Sequence, residues 1–219
     1  MKNALLIGAT GLVGSHLLQR LLNDERYGSV SIFVRRQTGI THPKMKEHVI
    51  DFDKPMQWQH WVKGDVIYLA LGTTLKKAGS KQAQYRVDYS YQYQFASVAA
   101  LNGVPELVLV SSAGASLKSK FFYMRMKAEL ERDIDRLDFS KKVFVRPGAL
   151  TGPRQEKRAG ERFGVAVLRM VNGLGLFKRY KPIHAGVVAR AMVNATFANT
   201  KGTEIHELDA VFRLAEKDN

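Results

Sequence analysis

The chain has 219 residues, 45% of them apolar and 25% charged, enough for one large domain with a substantial core and short for two. It has no cysteine, which excludes disulfides, thiolate catalysis and cysteine metal sites. The net charge of +14 raises the question of nucleic acid, but the cations are dispersed and no nucleic-acid motif accompanies them, so a basic surface with an anion-binding cleft is expected instead.

Residues 4–8 are an apolar run that predicts a buried strand, and 12–22 follow as a helix with Val13, Leu17, Leu18 and Leu21 on one face. Strands are expected at 30–34, 49–52 and 66–71, the last opened by the Gly64-Asp65 turn. A long helix should run from about 81 to 102, stopped by Asn102-Gly103 and Pro105. A strand at 107–111, a helix at 121–135 and a strand at 142–146 ended by Pro147-Gly148 come next. Farther on, 163–171 and 187–197 read as helices, 204–208 as a strand and 210–215 as a helical turn. Asn172-Gly173-Leu174-Gly175 and Lys181-Pro182 mark loops between them. Strand–helix alternation of this kind implies right-handed crossovers and a doubly wound parallel sheet covered on both faces, an α/β fold. One domain over residues 1–219 is expected, with 148–219 forming a small C-terminal, substrate-side portion. No apolar run approaches the roughly 18–20 residues that cross a bilayer, and the start turns polar too soon for a secretory signal. No membrane association is expected, and a cytoplasmic location is the default.

The first strand runs into Gly8-Ala-Thr10-Gly11-Leu12-Val13-Gly14 and then a helix. Glycines let such a turn tighten and let backbone amides approach a pyrophosphate, which sits at the positive helix end. The spacing departs from G-x-G-x-x-G, but the strand–turn–helix context of a nucleotide-binding Rossmann turn is met. At the end of the second strand an NAD site carries an acid for the ribose 2′-hydroxyl. This chain has Arg35-Arg36 there, and guanidinium groups suit a 2′-phosphate, so NADP(H) is favoured over NAD(H). Asp51-Phe52 and Leu71-Gly72-Thr73 end the next two strands at the same sheet edge, where Asp51 is a candidate for the adenine amino group and Gly72 for close packing on the adenosine.

Tyr123 and Lys127 stand one helical turn apart. A lysine beside a tyrosine favours the phenolate and is expected to lower its pKa, making the phenol an acid for a carbonyl oxygen that accepts hydride. Ser111 and Ser112 end a buried strand at the same edge and supply a hydroxyl for the substrate oxygen.

Gly8-x-x-Gly11-x-x-Gly14, Ser111-Ser112, Tyr123-x-x-x-Lys127 and Arg146-Pro147-Gly148 resemble the short-chain dehydrogenase/reductase superfamily in its atypical branch. Leu71 to Thr74, Tyr85 to Asp88, Ser111 to Ala115 and Arg154 to Glu156 are similar to the TIP30/HTATIP2 oxidoreductase family and its bacterial relatives. The resemblance implies a Rossmann fold, NADPH across the sheet edge and a Ser-Tyr-Lys set. In that set Tyr123 is the acid/base and Lys127 holds the nicotinamide ribose. Ser112 is favoured over Ser111 as the oxygen's partner, and Pro147 and Gly148 line the nicotinamide pocket. The asparagine of the family's proton relay has no clear match, the long helix offering Asp88 and Tyr89 instead.

Two functions compete: an NADPH-dependent oxidoreductase for a carbonyl or alcohol, and an NADPH-binding regulatory or redox-sensing protein with little turnover. A sugar-nucleotide epimerase is weaker, because the portion after Gly148 is small for the substrate domain of such enzymes. Arg154, Lys157, Arg158 and Arg162 point to an anionic small-molecule substrate or to a solvated loop. Tyr85, Tyr89, Tyr91, Tyr93 and Phe95 on the long helix offer a homodimer face or plain packing. The six histidines show no metal-ligand spacing, His184 is expected to cap or pack, and Trp58 and Trp61 to pack beside the third strand.

Overall fold

The computed structural model describes residues 1–152 and 181–217. Seven parallel strands form one sheet: β1 (Lys2–Ile7), β2 (Tyr27–Val34), β3 (Met45–Val49), β4 (Val66–Leu69), β5 (Glu106–Val110), β6 (Lys141–Arg146) and β9 (Gly202–Glu207). Their order is β3-β2-β1-β4-β5-β6-β9, so the chain winds outward from β1 in one direction and then the other. That reversal leaves a crevice at the carboxyl ends of β1 and β4, where ligands of open α/β sheets sit. Two short strands, β7 (Leu150–Thr151) and β8 (Ile183–His184), pair separately.

The sheet is apolar on both sides because helices cover both. Leu6, Tyr68, Val108 and Val143 face α1 (Leu12–Asn23), α7 (Ala185–Phe197) and α8 (Asp209–Glu216). Their strand neighbours Leu5, Ile67, Leu107 and Phe144 face α2 (Pro55–Trp58), α5 (Tyr91–Leu101) and α6 (Phe122–Asp135). The expected long helix is present as α4 (Lys81–Tyr85) and α5 joined by a π-helical turn at Arg86–Ser90, with a short α3 (Leu75–Ala78) before it.

The third strand lies earlier than expected, at Met45–Val49 rather than 49–52. Ile50 still donates to the Val34 carbonyl at 2.8 Å just past the strand end, but Phe52 leaves the ladder to pack against Trp58, so much of this apolar signal reports burial in a turn rather than pairing. Trp58 donates to the Asp51 carbonyl and stacks on Phe95, whereas Trp61 stacks on His48 of β3. His184 caps α7, its Nδ1 accepting from Gly186 N–H at 3.1 Å. The helix expected at 163–171, the loop at 172–175 and the cations Arg154, Lys157, Arg158 and Arg162 lie outside the described residues.

Candidate functional site

β1 delivers the chain to Gly8, whose φ of +86° favours glycine, and a Cβ there would lie 2.3 Å from the Ala70 carbonyl oxygen. At Gly14 a Cβ would fall 1.9 Å from the Gly8 oxygen, so α1 packs against the turn only because both positions lack side chains. Gly11 N–H donates to Gly8 O at 2.9 Å and closes the turn. α1 then starts at Leu12 with no side-chain cap and no acid in its first turn, leaving its leading amides and positive end to an anion. Thr10 is exposed, Leu12 is half-buried against Gly152, and the Val13 side chain points into the core, so Val13 offers a ligand its backbone only.

Arg35 and Arg36 follow β2, both exposed, and neither forms an ion pair or hydrogen bond among the described residues. Asp51 is exposed beyond β3; it accepts from Asp53 N–H at 3.0 Å and pairs with Lys54 at 3.3 Å. The backbone bond from Asp53, aided by Lys54, holds its carboxyl below the usual range. The Phe52 ring is buried against Trp58 and Tyr91. After β4, Leu71 is half-buried, Gly72 is open, and Thr73 N–H donates to Asp88 Oδ2 at 2.8 Å.

At the chemical end β5 and β6 finish together: Ser111 N–H donates to Val145 O at 2.8 Å and Ala113 N–H to Pro147 O at 3.0 Å. Gly148 sits close under the Lys181 carbonyl, where a Cβ would approach to 3.3 Å. The Ser111 hydroxyl is buried with no hydrogen-bond partner. Ser112 is half-buried, and its Oγ lies 3.4 Å from the Ala113 carbonyl and 3.8 Å from Sδ of Met124, the neighbour of Tyr123 on α6. Tyr123 opens α6, and Lys127 Nζ lies 5.8 Å from its ring centroid. Lys127 is 97% buried, its side chain 3% exposed, and its ammonium meets Asp88 Oδ1 at 3.6 Å.

The lowered tyrosine pKa expected from the sequence is overturned. Burial raises the Tyr123 pKa; Lys127 pulls it down, Asp88 pushes it up and the nearby Ser112 hydroxyl lowers it, for a net rise. Burial likewise raises Asp88 against the opposing pull of Lys127 and Thr73 N–H. Asp88 is thus the site residue the glycine and Tyr-x-x-x-Lys motifs do not include. Its signal was the one acid between Lys81 and Leu101, at the place where the relay asparagine is missing.

The NAD(P)H-binding family model matches residues 8–197. Among curated proteins, the mitochondrial protein fmp52 of Aspergillus fumigatus is 35% identical over 212 residues, covering 89% of this chain and 87% of that protein. FMP52 of Candida albicans is 34% identical over 195 residues, covering 86% and 85%. These relatives are named as mitochondrial proteins, which overturns the cytoplasmic location expected above. Composition is no guide to compartment, because import signals are read by receptors rather than expressed in the fold. Among solved structures, MoeE5 in complex with UDP-glucuronic acid and NAD superposes with a TM-score of 0.70 at 17% identity, covering 94% of this chain and 76% of that one. A UDP-glucose 4-epimerase from Thermotoga maritima gives 0.69 at 14% identity, covering 99% and 84%. The chain belongs to the NAD(P)H-binding family, with a Rossmann-like α/β fold, and is a relative of the fungal Fmp52 proteins.

Proposed function

We propose that the protein is an NADPH-dependent oxidoreductase that reduces a carbonyl on a small molecule, with Ser112, Tyr123 and Lys127 as its catalytic set. The observation that carries this is the placement of Tyr123 beside the buried Lys127 on α6, with Ser112 against the neighbouring Met124, at the sheet edge that also holds the glycine turn. Kinship with the TIP30/HTATIP2 family rests on the shared motifs and adds to the same assignment.

The residues present fit a dinucleotide. The Gly8–Gly14 cradle leaves no room for a Cβ, the orphaned Ser111 hydroxyl points to a missing polar partner, and Arg35 and Arg36 are free guanidinium groups where a 2′-phosphate would sit. Thr10 to Gly14, Asp51, Phe52, Leu71 to Thr73, Ser111, Pro147 and Gly148 would line the remaining length. The bound nucleotide supplies hydride. Lys127 holds the ribose hydroxyls, Ser112 donates to the substrate oxygen, and Tyr123 gives that oxygen its proton.

A raised tyrosine pKa favours reduction, because the phenol must be protonated to donate. Reduction should therefore hold its rate through neutral pH and fall only as pH rises past 10, the ordinary tyrosine value. The test is a carbonyl panel with NADPH: Tyr123→Phe should lower kcat at least a hundredfold and leave NADPH affinity within about threefold. Full turnover by Tyr123→Phe refutes the assignment. A single domain with residues 148–219 on the substrate side, and a homodimer through α5 and α6, belong to the same proposal. The stacked Tyr85, Tyr89 and Tyr93 give that face a regular aromatic ladder, with Tyr85 and Tyr89 tied to Glu129 and Asp133 of α6.

A further inference from the structure

We propose that Asp88 is a positioning residue that ties the loop after β4 to Lys127, so that the nucleotide-side backbone and the proton-transfer end are held as one unit. It rests on the oxidoreductase activity proposed above.

Asp88 lies in the π-helical turn between α4 and α5, a widening of the helix that recurs at functional sites. Gln84, Asp88 and Gln92 are all buried, four residues apart, and form a polar stripe inside an apolar layer. Each makes a specific bond: Gln84 Nε2 donates to Thr73 O at 3.4 Å, and Gln92 Nε2 to the Asp88 carbonyl at 2.6 Å. The two carboxylate oxygens of Asp88 divide the work. Oδ2 accepts Thr73 N–H at 2.8 Å, and Oδ1 faces the Lys127 ammonium at 3.6 Å.

Stability alone does not explain a carboxylate here. A buried ion pair roughly breaks even against apolar replacements, and an asparagine would satisfy Thr73 N–H without the desolvation of a charge. What an asparagine cannot do is oppose the Lys127 charge. Among the described residues, the charged or titratable groups that face Asp88 are Lys127 and Tyr123 of α6; Thr73 and Gln92, which bond it, are neutral. Its negative charge restrains the pull of Lys127 on the Tyr123 proton, and the phenol stays protonated for donation.

Asp88→Asn keeps the size and an acceptor for Thr73 N–H while removing the charge; Asp88→Ala removes both. Tyr123 ionisation is read directly, by ultraviolet difference titration of each protein against its Tyr123→Phe counterpart, with no substrate required. Asp88→Asn should move that titration to lower pH by about one unit, and the alkaline limb of carbonyl reduction with it. Asp88→Ala should in addition weaken NADPH binding about tenfold in a fluorescence titration, because the Thr73 amide loses its anchor. An Asp88→Asn titration that superimposes on that of the wild type overturns the proposal, and this variant decides it if Asp88→Ala does not fold. If Tyr123→Phe abolishes turnover while Asp88→Asn shifts nothing, the role of Asp88 falls and the activity stands. If Tyr123→Phe retains turnover, the assignment of Tyr123 as proton donor falls, and the reading of the site on which this role rests falls with it.

Discussion

At the scale of single residues, cofactor choice turns on Arg35 and Arg36. A hydrogen bond to a charged group contributes about 1.5–3 kcal/mol, so losing one guanidinium should weaken a phosphate ligand by roughly tenfold or more. Arg35→Ala with Arg36→Ala is expected to raise the dissociation constant of NADPH at least tenfold and to leave that of NADH within about twofold. Equal losses for both nucleotides, in a fluorescence titration at fixed ionic strength, would mean that the arginines act only as general surface charge. The site's positions were legible in the sequence wherever chemistry depends on local spacing. The glycines, the serines at a strand end and the Tyr123–Lys127 turn each have a local signature. The protonation of Tyr123 was not legible, because burial and the charge of Asp88 weigh there against that of Lys127, and Asp88 is distant in sequence. Asp88 was visible as an anomaly in its helix, but its partners Thr73 and Lys127 come from elements distant in sequence.

At the scale of elements, a buried chain of hydroxyls joins β2, β4 and α7. Tyr27 and Tyr68 hydroxyls lie 2.6 Å apart, and Tyr68 and Thr196 hydroxyls also 2.6 Å apart. Burial pushes Tyr27 up to about 12 and Tyr68 well above 10. A raised phenol is neutral in the fold, so its contribution is full below pH 10 and is lost as pH rises toward about 12. Tyr68→Phe strands the buried Tyr27 hydroxyl, while Thr196 keeps its bond to the Met192 carbonyl, and should cost about 1–3 kcal/mol in urea unfolding at pH 7. Unfolding should also become easier between pH 10 and 12 in the wild type, and less steeply so in Tyr68→Phe. Unchanged unfolding midpoints for the variant at pH 7 would mean that water satisfies the stranded Tyr27 hydroxyl. The elements themselves were largely legible, since buried parallel strands read as continuous apolar runs and the long helices carry a 3.6-residue period. β3 is the instructive exception: an edge strand is only half-buried, so Met45–Val49 carries polar residues, while much of the stronger apolar signal of Ile50 and Phe52 belongs to packing against Trp58.

At the scale of the whole molecule, residues 181–217 are built into the sheet and core formed by the earlier elements. β9 pairs along the full length of β6, and α7 packs on the same sheet face as α1, which rises from the glycine turn. Unfolding of this region would expose Leu17, Val143 and Val188 together, so heat should melt the protein in one transition. A ligand that binds only the folded state stabilises it by about 2.7 kcal/mol at a hundredfold excess over its dissociation constant. For a protein of this size that corresponds to a rise in Tm of about 5–10 °C. NADPH should produce that rise as a displacement of the single transition. NADH at the same concentration should give a rise smaller by about 3–5 °C if its dissociation constant is tenfold weaker. Two transitions, with NADPH moving only one, would show that residues 181–217 fold independently of the nucleotide site. Equal displacement by both nucleotides would remove the basis for NADP preference while leaving the Rossmann site intact.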